Sequence, residues 1–282
     1  MTVVKIGDGL GNQIYNYVAG YAVSKFTNTK LILDTSECDN SKGFRPYQLD
    51  LFNIHYDEKF SLPNDTTLKK VYKKLYRDVK YHVVFENEKF FRFPNQEAFS
   101  KHFRETYLHG WFQNLSYFYM YEEDLRKMLT PKKNLSNEVN VLMHQLSNNN
   151  TCAIHVRAGD MNVFSKQYYE SSINIMLKKR DIDKFIVFSN DFDVARTLFS
   201  VNAYKEKFVF LDELISDATD FDTFNLLKSC RNQIIPYSTY SRWAAILNSN
   251  PDKVVVCPDS YKSCNEDYNR FVYPSDWLLV KE

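Results

Sequence analysis

Glycine is scarce in this chain. Seven occur in 282 residues, and three of them fall at Gly7, Gly9 and Gly11. A chain that makes most of its turns without glycine has a local reason to gather three in five residues, because glycine lets backbone approach closely and turn sharply. Cysteine is also sparse. The five, at 38, 152, 230, 257 and 264, form no Cys-x-x-Cys pair, and an odd count does not make a disulfide framework. A reducing compartment is the expectation. Net charge is almost absent: 36 Lys plus Arg oppose 35 Asp plus Glu. That balance excludes nucleic-acid or membrane binding driven by bulk charge, and no nucleic-acid partner is expected.

Long apolar runs are missing too. No stretch is long enough to cross a bilayer, and Met1-Thr2-Val3-Val4-Lys5-Ile6 lacks the apolar run of a signal peptide. The expected location is the cytoplasm, with a weak peripheral contact at the inner face of the membrane as a further option. Asn-x-Ser/Thr matches such as Asn114-Leu115-Ser116 are then expected to stay unmodified. No His-x-x-x-His or zinc-spaced Cys/His cluster occurs, and no Gly-x-Ser-x-Gly elbow. Asp-x-Asp occurs three times, at Asp181-Ile182-Asp183, Asp191-Phe192-Asp193 and Asp220-Phe221-Asp222. A motif that cheap does not assign a metal, and none is expected.

Aromatic residues, by contrast, are abundant at 16%, with 22 Phe and 20 Tyr. Rings stack on sugars and bases, but most belong in cores. The length suits two domains. The chain opens as strand, glycine turn, helix and strand: Val3 to Ile6, Gly7 to Gly11, Asn12 to Phe26, then Leu31 to Leu33. This is the βαβ start of a parallel sheet. From Cys38 to Arg104 the pattern is less regular. A lysine-rich helix is expected over Leu68–Val79, its charges a solvated face or, less simply, a membrane contact. A strand is expected at Tyr81–Phe85 and another at Tyr107–Trp111. Helical stretches follow near Tyr121–Leu129 and Leu135–Leu146. The polar run Ser147-Asn148-Asn149-Asn150 reads as the linker between domains.

Beyond it the alternation is regular. Strands are expected at Cys152–Val156, Phe185–Phe188, Phe208–Phe210, Gln233–Ile235 and Val254–Cys257. Helices are expected at Tyr168–Lys178, Val194–Phe199, Phe224–Ser229 and Tyr240–Leu247. This is the pattern of a doubly wound α/β domain. The tail Tyr273-Pro274-Ser275-Asp276-Trp277-Leu278 is expected to pack back on the rest.

Three segments carry chemistry. Cys152 to Asp160 is a buried strand that delivers His155, Arg157 and Asp160 to its carboxyl end, where parallel sheets hold ligands. Arg157 there suits a phosphate or a carboxylate, since its planar fork makes two charge-assisted bonds at once. A buried Arg–Asp pair that ties the loop down explains the same residues. Gly9-Leu10-Gly11-Asn12-Gln13 offers helix-start N–H groups to an anion, or is a plain tight turn. It fits neither the dinucleotide fingerprint nor the P-loop. Pro236 to Trp243 again lies between a strand and a helix, where Ser238, Thr239 and Ser241 cap the helix or hold a phosphate at its positive end. Asp191, after Ser189-Asn190, accepts from a ligand hydroxyl or base edge, or caps the next helix.

Taken in order, these segments resemble the family 11 glycosyltransferases, the α-1,2-fucosyltransferases of bacterial surface glycans and animal blood-group antigens. Gly9 to Gln13, His155 to Asp160, Phe188-Ser189-Asn190-Asp191, Tyr237 to Trp243, Pro251 to Val256 and Trp277 carry the likeness, which spans nearly the whole chain. Ala158, Met161, Tyr237 and Arg242 depart from the common pattern. The resemblance implies a GT-B α/β fold of two Rossmann-like, doubly wound domains facing across a cleft. Residues 1–148 would form the acceptor side, and 149–282 would bind GDP-fucose. It implies an inverting, metal-independent transfer of fucose to the 2-hydroxyl of a galactoside, in an oligosaccharide or lipid-linked glycan, with no cofactor. Arg157 would stabilise the charge on leaving GDP, with His155 beside it. Gly9, Gly11, Asn12, Gln13, His155, Arg157, Asp191, Asp222, Ser238 and Thr239 would line the donor. Asp160 and Asp8 are the candidate bases. Phe44, Tyr47, Trp111, Phe112 and Tyr117 are candidate acceptor-stacking rings. A different donor or linkage, and a non-catalytic nucleotide-sugar-binding protein, are the rival readings.

Overall fold

The structure, a computed structural model, describes residues 1–38, 45–62, 66–72, 77, 80–85, 105–158, 163–200, 204–259 and 271–281. The chain divides into two compact units, Met1–Lys133 and Asn134–Glu282. Each is built on its own parallel sheet.

The first unit begins with β1 (Thr2–Lys5), α1 (Leu10–Thr27) and β2 (Leu31–Asp34). β3 (Glu58–Phe60), α2 (Thr66–Val71), β4 (Tyr81–Phe85) and β5 (Glu105–His109) follow. The short helices α3 (Ser116–Tyr119) and α4 (Glu122–Met128) come next. The five strands lie in the order β3-β2-β1-β5-β4, every pair parallel. Helix α1 sits so close to β1 that a Cβ on Gly20 would lie 2.6 Å from Val4 Cγ1 and 2.9 Å from its Cβ. The glycine is there for helix–strand contact, not for a turn. Of the lysine-rich helix expected over residues 68–79, the described part is α2. The polar strand β3 was not foreseen.

The second unit starts with α5 (Asn137–Asn148), β6 (Thr151–Val156), α6 (Lys166–Lys179), β7 (Lys184–Ser189) and α7 (Phe192–Phe199). It continues with β8 (Phe208–Phe210), α8 (Leu211–Leu214), α9 (Asp220–Ser229), β9 (Asn232–Ile234) and α10 (Thr239–Leu247). It ends on β10 (Val255–Pro258) and β11 (Leu278–Val280). The boundary expected at 148/149 therefore falls earlier, after Lys133. Helix α5 buries Val139, Leu142 and Leu146 and packs on α9, which ties it to the unit that follows. The tail packs back as expected, by adding β11 beside β10.

The strand order is β11-β10-β9-β6-β7-β8. From β6 the chain steps outward to β7 and β8, returns past β6 to β9, and then steps the other way to β10 and β11. Loops leaving β6 and β9 consequently diverge to opposite faces of the sheet. The gap beyond their carboxyl ends is the topological switch point, where doubly wound folds hold ligands. β6 is buried along its whole length, as a central parallel strand must be.

Candidate active site

The switch point of the second unit brings together the ends of two of the segments singled out from the sequence, those of β6 and of β9. β6 ends with His155 and Val156 and releases Arg157 and Ala158 into the loop. Asn190, just after β7, clamps that loop. Its Oδ1 accepts from the Ala158 N–H at 2.9 Å, and its Nδ2 donates to the Ala158 carbonyl at 2.7 Å. The two bonds fix the backbone next to Arg157. Ala158 is buried.

His155 is 5% exposed, and its Nδ1 meets no hydrogen-bond partner among the described residues. Its backbone carbonyl accepts from the Tyr169 hydroxyl at 3.0 Å, and its ring lies 6.0 Å from that of Tyr240. Burial, helped by the neighbouring Arg157 charge, pushes the His155 pKa down to about 3. The imidazole is therefore neutral at working pH and is a hydrogen-bonding group, not a proton carrier. The linkage has a definite sign. The unfolded histidine takes up a proton below about 6.5, while the folded one resists until about 3. Stability from this site is complete above about pH 6.5 and is lost as pH falls toward 3. The expected outcome is that the melting temperature of a His155→Asn variant falls less between pH 7 and pH 4 than that of the parent. Thermal melts across that range check it.

On the other side of the switch point, β9 runs into Ile235, Pro236 and Tyr237 and then α10. The Tyr168 hydroxyl donates to the Ile235 carbonyl at 2.6 Å, and the Ser238 N–H donates to the Pro236 carbonyl at 2.8 Å. Ser238 stands at the N-cap of α10 but makes no side-chain cap bond. The start of α10 thus keeps unbonded N–H groups beside the hydroxyls of Ser238 and Thr239, an arrangement that suits an anion. Tyr240 ties this helix to α9 by donating to the Asp220 carbonyl at 2.6 Å.

Two aspartates expected to meet the donor have structural work. Asp191 caps α7, with its Oδ1 accepting from the Val194 N–H at 3.1 Å. Asp222 closes a capping box on α9, where its Oδ2 accepts from both the N–H and the hydroxyl of Thr219. Tyr237 and Arg242, the departures from the common pattern, are taken up by packing. Tyr237 meets the Phe164 ring edge-on at 5.0 Å, and the Arg242 guanidinium lies 5.0 Å over Tyr273. Asp160 and Met161 lie outside the described residues.

The glycine segment belongs to the first unit. Gly9 is the N-cap of α1, and its carbonyl accepts from the N–H groups of Asn12 and Gln13. A Cβ added at Gly9 would meet open space within 4 Å. Gly11 and Gln13 are buried. The Gln13 side chain is fully engaged: Nε2 donates to the carbonyls of Asp8 and Pro46, and Oε1 accepts from the Gln48 N–H. Gln13 shapes the loop by joining these three backbone groups. Asn12 Oδ1 accepts from Gln113 Nε2 at 3.4 Å. Asp8 has a positive φ of 61° and accepts from Trp111 Nε1 at 2.6 Å.

Further along the carboxyl edge of that sheet lies a polar network that sequence reading missed. The Tyr107 hydroxyl donates to Asp34 Oδ2, and the Ser36 N–H and hydroxyl donate to Oδ1. Lys5 pairs with Glu37 at 2.6 Å. The His109 ring has Lys5 at Nε2 and Arg77 at Nδ1, each at 3.1 Å. Among the rings proposed for acceptor stacking, Phe112 and Tyr117 are buried and pack edge-on at 6.3 Å. The Lys59 ammonium lies 4.5 Å over the Tyr47 ring. Trp111 stays exposed, and Phe44 lies outside the described residues. No group of three or more His, Cys, Asp or Glu able to hold a metal occurs among the described residues. No described helix is long and apolar enough to cross a membrane.

Two Rossmann-like units, each a parallel α/β sheet, define the GT-B class of glycosyltransferases. The profile of glycosyl transferase family 11 matches residues 1–281, so the chain belongs to that family. It is 27% identical over 300 residues to the O-antigen biosynthesis glycosyltransferase WbnK of Escherichia coli, covering 92% of this chain and 94% of that one. It is 26% identical over 313 residues to an α-1,2-colitosyltransferase of Escherichia coli, covering 100% and 99%. Among solved structures it resembles NodZ α-1,6-fucosyltransferase co-crystallised with GDP, with a TM-score of 0.53 at 13% identity over 87% of this chain and 91% of that one. It also resembles a variant of Arabidopsis thaliana FUT1 in complex with GDP, with a TM-score of 0.50 at 14% identity over 92% and 71%. These distant likenesses speak to fold.

Proposed function

We propose that this glycosyltransferase moves fucose from GDP-fucose to the 2-hydroxyl of a galactoside in a bacterial surface glycan, with inversion and without a metal. The observation that carries the reading is the pairing at one switch point of Arg157, on a clamped loop, with the open N-terminus of α10 beside Ser238 and Thr239. The names of the relatives support it: one works in O-antigen biosynthesis, and one fucosyltransferase structure holds GDP.

The chemistry follows from where charge grows. As the bond between fucose C1 and the diphosphate oxygen breaks, negative charge collects on departing GDP. A fixed guanidinium and preorganised N–H groups stabilise that charge without reorganising. Arg157 supplies the fork, and α10 supplies N–H groups together with its positive dipole end. Neutral His155 adds a hydrogen-bonding nitrogen without a competing charge. The attacking hydroxyl needs to lose a proton as it bonds to C1 from the opposite face, and Asp160 or Asp8 would take it. The acceptor would be a galactose-containing oligosaccharide or lipid-linked glycan, at the membrane's inner face in the second case.

The test is to incubate the protein with GDP-fucose and a panel of β-galactosides in chelator and to identify the product by NMR. An α-1,2-fucosylated galactoside supports the reading. GDP release with no galactoside in the panel, alongside turnover of another nucleotide sugar, contradicts it. A second donor is favoured by one observation: the relative that spans the whole chain is a colitosyltransferase. Nucleotide-activated colitose therefore belongs in the same assay. Donor binding without turnover on any acceptor would favour the non-catalytic reading.

A further inference from the structure

Two neighbouring tyrosines on one helix hold both sides of the switch point. Tyr168 and Tyr169 stand in the first turn of α6 and are 0% and 1% exposed. The Tyr169 hydroxyl donates to the carbonyl of His155, near the end of β6, at 3.0 Å. The Tyr168 hydroxyl donates to the carbonyl of Ile235, just past β9, at 2.6 Å. The pairing of β6 with β9 runs from Cys152 and Asn232 to Ile154 and Ile234 and ends there. His155 and Ile235 are thus the first residues beyond that ladder, where the two backbones part around the switch point. Each backbone meets its tyrosine at that step.

Packing alone does not ask for these hydroxyls. Phenylalanine fills the same space, and a buried hydroxyl is destabilising unless it is bonded. What the hydroxyls add is a fixed reference for two strand ends. The Tyr168 ring lies 4.7 Å from Phe164 and 5.1 Å from Tyr169, which in turn lies 5.7 Å from Phe199. Ser165 caps the helix beneath them and accepts from the Tyr168 N–H at 3.2 Å. Burial pushes the pKa of both hydroxyls up, so both stay protonated and donate at any working pH. Two residues beyond His155 comes Arg157, and three beyond Ile235 comes Ser238, the N-cap of α10. Pro236 has a fixed φ, which carries the direction of the Ile235 peptide forward to the helix start.

We propose that Tyr168 and Tyr169 are positioning residues of the donor site, setting the separation at which Arg157 and the start of α10 hold one diphosphate. They act through those two groups and not by touching the nucleotide. Groups that meet one ligand from two loops bind it well only when their spacing is set before it arrives, and a helix turn sets spacing more rigidly than loops do. This deepens the proposed function, on which it rests, by naming what holds the two halves of the site in register.

The test is GDP binding to the full-length protein by calorimetry, for Tyr168→Phe, Tyr169→Phe, Arg157→Ala and the Tyr169→Phe/Arg157→Ala double variant. Both phenylalanine variants keep the ring and should fold, with melting temperatures lowered by only a few degrees. Each should weaken GDP about fivefold, the scale of one lost hydrogen bond that orders a site. Tyr169→Phe should have little further effect once Arg157 is alanine, because a residue that acts through another is silent when that other is gone. A merely structural role would lower affinity equally in both backgrounds. That equal loss, or GDP affinity within twofold of the parent in both phenylalanine variants while Arg157→Ala is impaired, would overturn the positioning role alone. GDP affinity unchanged by Arg157→Ala would overturn the donor-site reading and this inference with it.

Discussion

Replacing Arg157 by alanine is expected to lower kcat by on the order of a hundredfold or more, the scale on which loss of one transition-state charge partner acts. The effect should fall on kcat more than on the donor KM, because charge on the diphosphate grows as the glycosidic bond breaks and an interaction that strengthens in the transition state is lost mainly from kcat. Arg157→Lys should recover only part of the loss. Lysine keeps the charge but loses the fork that addresses two oxygens together. The backbone next to Arg157 is held by Asn190 through Ala158, by two bonds that do not involve the guanidinium. Steady-state GDP release for the three proteins, each confirmed folded by circular dichroism, measures it. Rates within a fewfold of the parent would reject the role given to Arg157.

Trp243→Ala is expected to cost about 3–5 kcal/mol, the usual range for deleting a fully buried tryptophan. Trp243 is 0% exposed and lies on α10, the helix whose start carries Ser238 and Thr239. Seven of that helix's nine residues are buried, from Ser241 to Leu247. A cavity there lets the helix shift, and its N-terminus shifts with it. For a protein of this size the melting temperature should drop by roughly 10 °C, measured by calorimetry. GDP affinity should fall as well if the N–H groups at the start of α10 hold the diphosphate as proposed, because they ride on the displaced element. A cost below about 1 kcal/mol would show that the helix is seated by other contacts.

Most strands of the second unit were legible because a doubly covered parallel strand must be an apolar run between turn residues. Ala153-Ile154 with Val156, and Phe185 to Phe188, are such runs. β3 was not legible, since Glu58-Lys59-Phe60 lies at a sheet edge with its first two residues exposed and shows no apolar pattern. The boundary was misplaced for a related reason. A polar linker marks the end of a helix, but whether that helix belongs before or after depends on what its apolar face meets, here α9.

The site was legible at its centre and blurred at its rim. His155 and Arg157 could be placed at the switch point because a parallel strand fixes where its carboxyl end points. Asp191 and Asp222 could not be sorted, since the oxygen that caps a helix is the same oxygen that meets a ligand. Gln13 joins three backbone groups, a role that only the folded loop defines. Asn190 was passed over in favour of its neighbour Asp191, although an amide, with both a donor and an acceptor, is what clamping a peptide group needs. The Trp111–Asp8 bond joins residues far apart in sequence, and no local pattern announces it.

The most direct measurement is a crystal structure of the protein with GDP. The diphosphate should lie beyond the carboxyl ends of β6 and β9, with the Arg157 guanidinium and the first N–H groups of α10 within hydrogen-bond reach and no metal between them. Nucleotide seated instead on the glycine turn of the first unit, or a diphosphate that leaves Arg157 untouched, would contradict the account.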